Sequence, residues 1–292
     1  MQPASYVIAS WPSAPDHFVM TTTTGNAARV LDWLEEWLQT EWTDLDVFCT
    51  SLSEEWANAT LVGPRARDVL AAVAPRLDLD PAAFPFMRLC EADVAGVPSR
   101  VFRISFTGEL SYEINVPADY GLELWQRLIE AGAEYGITPY GTEAMHVLRA
   151  EKGYMMVGHE TDGSVTPLDL GMAGMIAGDK DFLGRRSLAR SDMVRPNRKQ
   201  LVGLLPDDPE AVLPEGAQLV AMLGGTPPVP MIGHVTSSHY GPRLGRSFAL
   251  AVVEGGRARY GEPVWAPLSD RIIAARICAP TFYDTENRRR DG

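Results

Sequence analysis

The stretch that decides the fold is RISFTGELSYEINVP (103–117). It consists of two runs of strand-forming residues around a Thr-Gly pair, which predicts a β-hairpin with a tight turn. Strand side chains alternate between two faces, so Tyr112, Ile114 and Val116 fall on one face and Glu113 on the other. The sequence therefore predicts a carboxylate held at a fixed position on the polar face of a sheet.

A second informative stretch, YGTEAMHVLRAEKGYMMVGHETDG (140–163), predicts a helix that ends at Gly153. Arg149 and Glu151 lie in its last turns. A carboxylate on a strand and an arginine near a helix end suit a ligand with paired N–H donors and a distant anionic group. A pteridine with a glutamyl tail is such a ligand.

The residues upstream of the hairpin alternate between strand and helix patterns. Apolar residues at helical spacing predict a helix over 26–39, whose Trp33 and Trp37 we expect to pack against a sheet of the same domain, with a partner surface as the alternative. A β-α-β-β-α succession of this kind indicates an antiparallel α+β layer. The predicted elements are strands 17–23, 46–53 and 56–63 and helices 26–39, 67–73 and 118–136.

The composition changes near Met193. Short strand patterns separated by Pro and Gly follow, which is typical of a small antiparallel barrel or sandwich. We therefore expect a domain boundary at 192–199. The predicted strands are LVGLLP (201–206), AQLVAML (217–223), MIGHVTSS (231–238), FALAVVEG (248–255) and IIAARIC (272–278).

The composition also excludes several classes of protein. With 46% hydrophobic and 22% charged residues and no apolar run long enough to span a bilayer, the chain is expected to be a cytoplasmic globular protein without membrane contact. The formal charge of −12 argues against a nucleic-acid partner, because phosphate binding requires a basic surface. Three widely spaced cysteines and five histidines without ligand spacing predict neither disulfides nor a metal site.

Three further patterns are interpreted as structural. His234 and Ser237 lack a nucleophile elbow and an orienting acid, so a hydrolase is rejected, and GMAGMIAG (171–178) lacks the dinucleotide-binding spacing. A basic stretch is weighed as a site for an anionic tail, but a solvated helix and linker is favoured. The stretch contains Lys180, Arg185, Arg186, Arg190, Arg195, Arg198 and Lys199.

Ordered motifs along the chain resemble the folate-binding aminomethyltransferase family, which includes the glycine-cleavage T-protein. A more specific resemblance is to the C-terminal region of the alpha subunit of heterotetrameric sarcosine oxidase. It is carried by TTTTGNAARVLDWLEEWLQTEW (21–42) and SFTGELSYEINVPADYG (105–121). The family motifs are SFTGELSYE (105–113), LRAEKGY (148–154), TPLDLG (166–171), DFLGRRSL (181–188) and GHVTSSHYGPRLGRSFAL (233–250).

This resemblance implies an α+β folate-binding layer domain followed by a small antiparallel β-barrel domain. The folate-binding domain is expected to be N-terminally incomplete, since the likeness begins at about Asp16. We further expect its sheet to carry an unpaired edge or an uncovered apolar face near 17–23 and 26–39. The implied organisation is an unmatched segment 1–15, the α+β domain 16–192, the barrel 199–285 and a polar tail 286–292.

The resemblance also implies roles for single residues. Glu113 matches the glutamate that anchors the pteridine, with a solvent-facing strand residue as the alternative, and Phe106 matches a tyrosine that lines the folate pocket. Arg149 matches an arginine of the folate site, although a cation favoured at a helix C-terminus is an equal alternative. Glu151 and Tyr154 are expected nearby. No catalytic residue is assigned, because the family aspartate has no match here.

The reaction implied by the resemblance joins two stages. A flavin oxidises sarcosine to an iminium, and tetrahydrofolate then accepts the one-carbon unit to give 5,10-methylenetetrahydrofolate. We expect flavin and NAD only on another segment or chain, so the partners are a flavin-bearing sarcosine oxidase segment or subunits, or a second copy. A non-catalytic remnant of the fold and an autonomous glycine-cleavage-type aminomethyltransferase remain alternatives.

Overall fold

The chain forms two compact units, in a computed structural model that describes residues 5–11, 14–22, 24–226 and 228–292. The N-terminal unit holds the described residues up to Tyr140 together with Asn287–Gly292, and the C-terminal unit holds Gly141–Glu286. This division lies upstream of the boundary expected at 192–199. The reason is that Ala150 and Leu170 pack against residues of the C-terminal sheet.

The N-terminal unit combines antiparallel sheets with helices. Short 3-10 turns at Thr24–Asn26, Ala118–Tyr120 and Ala133–Tyr135 flank its longer helices. Its strands are β1 (Ser5–Trp11), β2 (Ala14–Thr22), β3 (Trp56–Val62), β4 (Arg88–Val94), β5 (Val97–Arg103) and β6 (Ser111–Pro117), and its helices are α1 (Ala27–Thr40), α2 (Ala66–Val73) and α3 (Gly121–Gly132).

One face of the four-stranded sheet β3-β6-β5-β4 carries the core of this unit. Tyr112, Ile114 and Val116 on β6 are fully buried there, against Leu70 of α2 and Leu124 of α3. The opposite face of β6 is more exposed after the first residue of the strand, as the period-two alternation requires. The predicted antiparallel pairing and the two faces of β6 are therefore confirmed, but the first strand ends at Arg103 and does not continue to the Thr-Gly pair.

Two expectations for this unit are wrong. Residues 46–53 form no strand, because Val47 and Phe48 project into solvent and the segment pairs with no described strand. Trp33 and Trp37 were expected to pack against a sheet, but both are only partly buried and no residue of α1 is fully buried. An amphipathic stripe predicts the helix without specifying what covers it.

The C-terminal unit begins with one helix and continues into a six-stranded antiparallel sheet. Loops and short turns, including Ala173–Met175 and Gly256–Arg259, connect its elements. The helices are α4 (Thr142–Glu151), α5 (Arg185–Leu188) and α6 (Ser191–Val194), and the strands are β7 (Lys199–Pro206), β8 (Gln218–Leu219), β9 (Gly233–Gly241), β10 (Arg246–Glu254), β11 (Pro263–Pro267) and β12 (Ile272–Cys278).

The six strands run in the order β11-β12-β7-β10-β9-β8 and close into a barrel. Closure comes from Val220 and Trp265, whose backbone N–H groups each donate to the other's carbonyl oxygen at 2.9 and 3.1 Å. The apolar interior includes Leu204, Ala251 and Ile277, all nearly or fully buried. The expected α+β layer followed by a small antiparallel barrel is thus confirmed.

The last helix, α7 (Arg288–Asp291), belongs to the N-terminal unit. The fully buried Arg103 donates through Nη1 to the Phe84 carbonyl oxygen at 2.6 Å and through Nη2 to that of Asp291. The guanidinium of Arg290 stacks 4.1 Å from the ring centre of Phe86. Across the described residues, no helix combines the length and apolar character needed to cross a bilayer.

Candidate functional site

Glu113 lies on β6 between two other strands of its sheet. Its direct neighbours in register are Thr60 on β3 and Phe102 on β5. Burial raises the pKa of the Glu113 carboxyl, and within the described ranges no donor offsets this cost by a hydrogen bond. A half-buried carboxylate without a partner, held on rigid scaffold, is typical of a ligand-binding position.

Tyr140 is a neighbour of Glu113 that sequence reasoning did not identify. Burial, followed by the negative charge of Glu113, raises the pKa of the Tyr140 hydroxyl, which places the two groups in one electrostatic environment. Tyr140 as a whole is 41% exposed, so the residue lies near the surface of the unit. The only sequence signal was its position just before α4.

Phe106 lies half-buried in the turn that joins β5 to β6. Ser105 organises this turn, since its Oγ donates to the Glu109 carbonyl oxygen at 2.6 Å and accepts from the Gly108 N–H at 2.9 Å. Gly108 has a φ of 81°, a left-handed conformation that costs glycine little. Residues 104–110 therefore form a longer connection organised by Ser105, in place of the tight Thr-Gly turn that the sequence predicts.

Arg149, in the C-terminal unit, is completely buried near the end of α4. Its Nη1 donates to Glu160 Oε2 at 2.8 Å and to the Tyr154 carbonyl oxygen at 3.1 Å, and its Nη2 donates to Ser237 Oγ at 2.6 Å. These bonds tie the helix end to the following loop and to β9. Both Nη groups are thus engaged inside the unit.

Glu160 is the second residue that sequence reasoning missed. Besides Arg149, it accepts from the Met156 N–H at 2.7 Å, from Thr236 Oγ1 at 3.0 Å and from Ser237 Oγ at 2.6 Å. The side chains of Arg149 and Glu160 are both 0% exposed. Ser237 is therefore part of a buried hydrogen-bond network with Arg149 and Glu160.

The residues around Arg149 are held equally firmly. Glu151 is buried, and its carbonyl oxygen accepts from the N–H of Phe282 at 2.9 Å. Lys152 forms a buried ion pair with Asp284, with Nζ and Oδ2 2.8 Å apart. Tyr154 is half-buried and follows these residues in the loop whose backbone Arg149 fixes.

The TPLDLG motif forms another buried ion pair, which involves the basic stretch. Asp169 Oδ2 accepts from the Thr166 N–H at 2.7 Å and from Arg198 Nη2 at 2.6 Å. Burial alone would raise the pKa of the Asp169 carboxyl, but the hydrogen bonds from Arg198 and Thr166 outweigh it and lower this pKa. The Arg198 side chain therefore serves a structural role in this ion pair.

The expected site residues are therefore divided between the units. Glu113 and Phe106 lie in the N-terminal unit, and Arg149, Glu151 and Tyr154 lie in the C-terminal unit. The part of the chain that the structure describes contains no group of three or more His, Cys, Asp or Glu side chains placed to hold a metal ion.

Comparison with known proteins links this architecture to a family. Residues 8–180 match the family model for the GCVT N-terminal domain, and residues 199–284 match the model for the glycine cleavage T-protein C-terminal barrel domain. The solved structure of aminomethyltransferase T of the glycine cleavage system from Bartonella henselae has the same fold, with a TM-score of 0.74 at 23% identity over 92% of this chain and 69% of that one.

Two curated relatives illustrate the range of similarity. The sarcosine oxidase subunit alpha of Corynebacterium sp. (strain U-96) is 50% identical over 96% of this chain, which spans 29% of that relative's length. The aminomethyltransferase of Moorella thermoacetica is 30% identical over 94% of this chain and 71% of its own length.

Proposed function

Because the chain belongs to the glycine cleavage T-protein family, we propose that it binds tetrahydrofolate and positions it to accept a one-carbon unit. The observation that carries this proposal is the unpartnered, half-buried carboxylate of Glu113. A carboxylate accepts two parallel N–H bonds more strongly than a neutral acceptor does. The amide N–H and exocyclic amine of a pteridine provide that pair.

Residues of the same unit support this anchoring role. The Phe106 ring at the adjacent turn offers an apolar face for the pteridine, although it lacks the hydroxyl that a tyrosine would supply. Tyr140 has a hydroxyl and shares the electrostatic environment of Glu113. We therefore include Tyr140 as a second polar group for the ligand.

In the C-terminal unit we propose that Arg149 acts on folate binding as a positioning residue. Its Nη groups are occupied by Glu160, Ser237 and the Tyr154 carbonyl oxygen, so its role is to fix the backbone that presents Tyr154. Tyr154 and Glu151 are kept as proposed contributors to binding. This assignment combines the family resemblance with the observed burial.

We further propose that the one-carbon unit comes from oxidised sarcosine. In that reaction a flavin on another segment or subunit takes two electrons from sarcosine, and the carbon of the resulting iminium passes to tetrahydrofolate with release of glycine. Holding the two reactants in contact favours the transfer by converting a bimolecular step into a local one. The 50% identity to a sarcosine oxidase subunit alpha supports this donor.

Calorimetric titration with tetrahydrofolate tests the proposal. Glu113→Gln replaces one acceptor by a donor, and losing a charged hydrogen-bonded pair costs about 2–3 kcal/mol, or roughly 30- to 150-fold in Kd. The matched control is Glu91→Gln on β4, where an exposed carboxylate lies in the same sheet. Equal Kd values for wild type and Glu113→Gln would remove Glu113 from the binding site.

A second candidate function is an autonomous aminomethyltransferase, which the similarity to the Moorella thermoacetica enzyme over 71% of its length supports. The two candidates differ in the one-carbon donor. Incubation of the purified chain with sarcosine and tetrahydrofolate, with and without a flavin-bearing sarcosine oxidase, tests the first. The first proposal expects methylenetetrahydrofolate only with the oxidase, and no peroxide from the chain alone.

A further inference from the structure

Helix α1 is amphipathic, yet its large apolar residues are only partly buried within its own unit. It carries apolar residues at helical spacing, but no residue of the helix is fully buried. The indole rings of Trp33 and Trp37 contact each other with centroids 6.3 Å apart, and Trp37 contacts Trp42 at 5.3 Å. The three rings form a continuous aromatic strip along the helix and past its end.

The loop after α1 extends this apolar strip. Trp42 is 37% exposed, Leu45 and Val47 are each 51% exposed, and Phe48 is 91% exposed. Proteins seldom present large apolar side chains in a cluster to water unless another surface covers them. We call α1 together with residues 41–48 the acidic aromatic surface.

The charge of this surface selects the kind of partner. The one basic residue of this surface is Arg29 near the start of α1, and no Lys, Arg or His occurs between Val30 and Glu55, so carboxylates outnumber cationic groups six to one. Anionic lipid headgroups and nucleic-acid phosphates would be repelled by such a surface. The carboxylates interspersed with the aromatic residues are Asp32, Glu35, Glu36, Glu41, Asp44 and Asp46.

We propose that the acidic aromatic surface docks another polypeptide that presents apolar side chains flanked by Lys and Arg. Apolar contacts at the centre supply the affinity, and opposite charges at the rim set the orientation and raise the association rate. A second copy of this chain is a poorer occupant, because two molecules with a formal charge of −12 repel each other. The inference is independent of folate binding.

The test uses a fluorescent helical peptide about five turns long, with Leu on one face and Lys on the other. One control peptide carries Glu in place of Lys, and a second keeps Lys but carries Ser in place of Leu. We expect the Lys/Leu peptide to bind the full chain at least about tenfold more tightly than either control, with affinity that falls as salt increases.

Two matched variants of the chain locate the binding. Phe48→Ser changes a side chain that is 91% exposed, so it should leave folding intact. It should lower the affinity for the Lys/Leu peptide by about tenfold or more. Trp125→Ser changes an exposed indole on α3, an amphipathic helix that carries Glu123 and Glu130, and should leave the peptide's Kd unchanged.

Four results would overturn the proposal. Equal weakening by Phe48→Ser and Trp125→Ser would mean that the peptide binds exposed apolar side chains without preference for this surface. Tight binding of the Ser-containing peptide would mean that the attraction depends on charge alone. Concentration-dependent self-association in sedimentation experiments, abolished by Phe48→Ser, would mean that a second copy covers the surface. Unchanged peptide binding by Phe48→Ser would exclude the loop.

Discussion

Replacing Glu160 by Gln should destabilise the C-terminal unit severely. The carboxylate accepts from Arg149 Nη1, the Met156 N–H, Thr236 Oγ1 and Ser237 Oγ at 2.6–3.0 Å. Glutamine removes the charge and turns one acceptor into a donor, so the fully buried Arg149 loses its counter-ion. Breaking a buried pair in this way costs about 3–5 kcal/mol.

Urea denaturation followed by far-UV circular dichroism measures this loss as a lower midpoint at unchanged slope. Asp68→Asn is the matched control, because it breaks an ion pair with Arg65 whose side chains are 46% and 61% exposed, and should cost no more than about 1 kcal/mol. Replacing Arg149 by Met in the Glu160→Gln background should recover part of the loss. A Glu160→Gln cost within about 1 kcal/mol of wild type would refute the network as a determinant of stability.

The remaining predictions concern the pH dependence of tetrahydrofolate binding, stability at low pH and the contact between Arg103 and the C-terminal segment. Burial raises the pKa of Glu113 above the ordinary glutamate pKa of about 4.3, so the affinity for tetrahydrofolate should fall as the pH drops through this raised pKa. Calorimetry should show no such pH dependence for Glu113→Gln. Hydrogen bonds lower the pKa of Asp169 despite its burial, so its contribution to stability is complete above its unfolded pKa of about 3.9 and is lost as the pH falls through the lower folded value. The urea midpoints of wild type and Asp169→Asn should therefore converge as the pH falls through that value. A gap that stays constant with pH would contradict the assignment. The lysine of Arg103→Lys lacks the forked donors that bind the carbonyl oxygens of Phe84 and Asp291, so the free energy of unfolding in urea should fall by about 1–3 kcal/mol. Arg88 is exposed and lies opposite Arg103 on β4, so Arg88→Lys should change this free energy little.

The sequence was sufficient for features set by local pattern. The period-two alternation of 111–117 places Glu113 opposite Tyr112 and Ile114, and the structure agrees. The helix expected over 26–39 occurs as α1, within one residue at each end. Local periodicity determines these features, because it depends only on backbone geometry and on which residues avoid water.

Contacts between distant residues could not be predicted in the same way. The hydrogen bonds of Ser237 reach Arg149 and Glu160 across 88 and 77 residues of sequence, so no spacing reveals that these polar groups satisfy one another. The apolar stripe of α1 shows the same limit, because periodicity identifies the apolar face of a helix but not the surface that this face contacts. Strand β11 (Pro263–Pro267) was missed because a proline stands at each end of it.

The most direct measurement of the central claim, that Glu113 anchors the pteridine of tetrahydrofolate, is a cycle that changes the protein and the ligand together. Calorimetry would give four Kd values, for wild type and Glu113→Gln with tetrahydrofolate and with an analogue that lacks the exocyclic amine. If the carboxylate contacts that amine, the two changes should be non-additive, with a coupling of about 1.5 kcal/mol or more. Effects that add within about 0.5 kcal/mol would show that Glu113 and the amine do not meet, and would contradict the proposed binding mode.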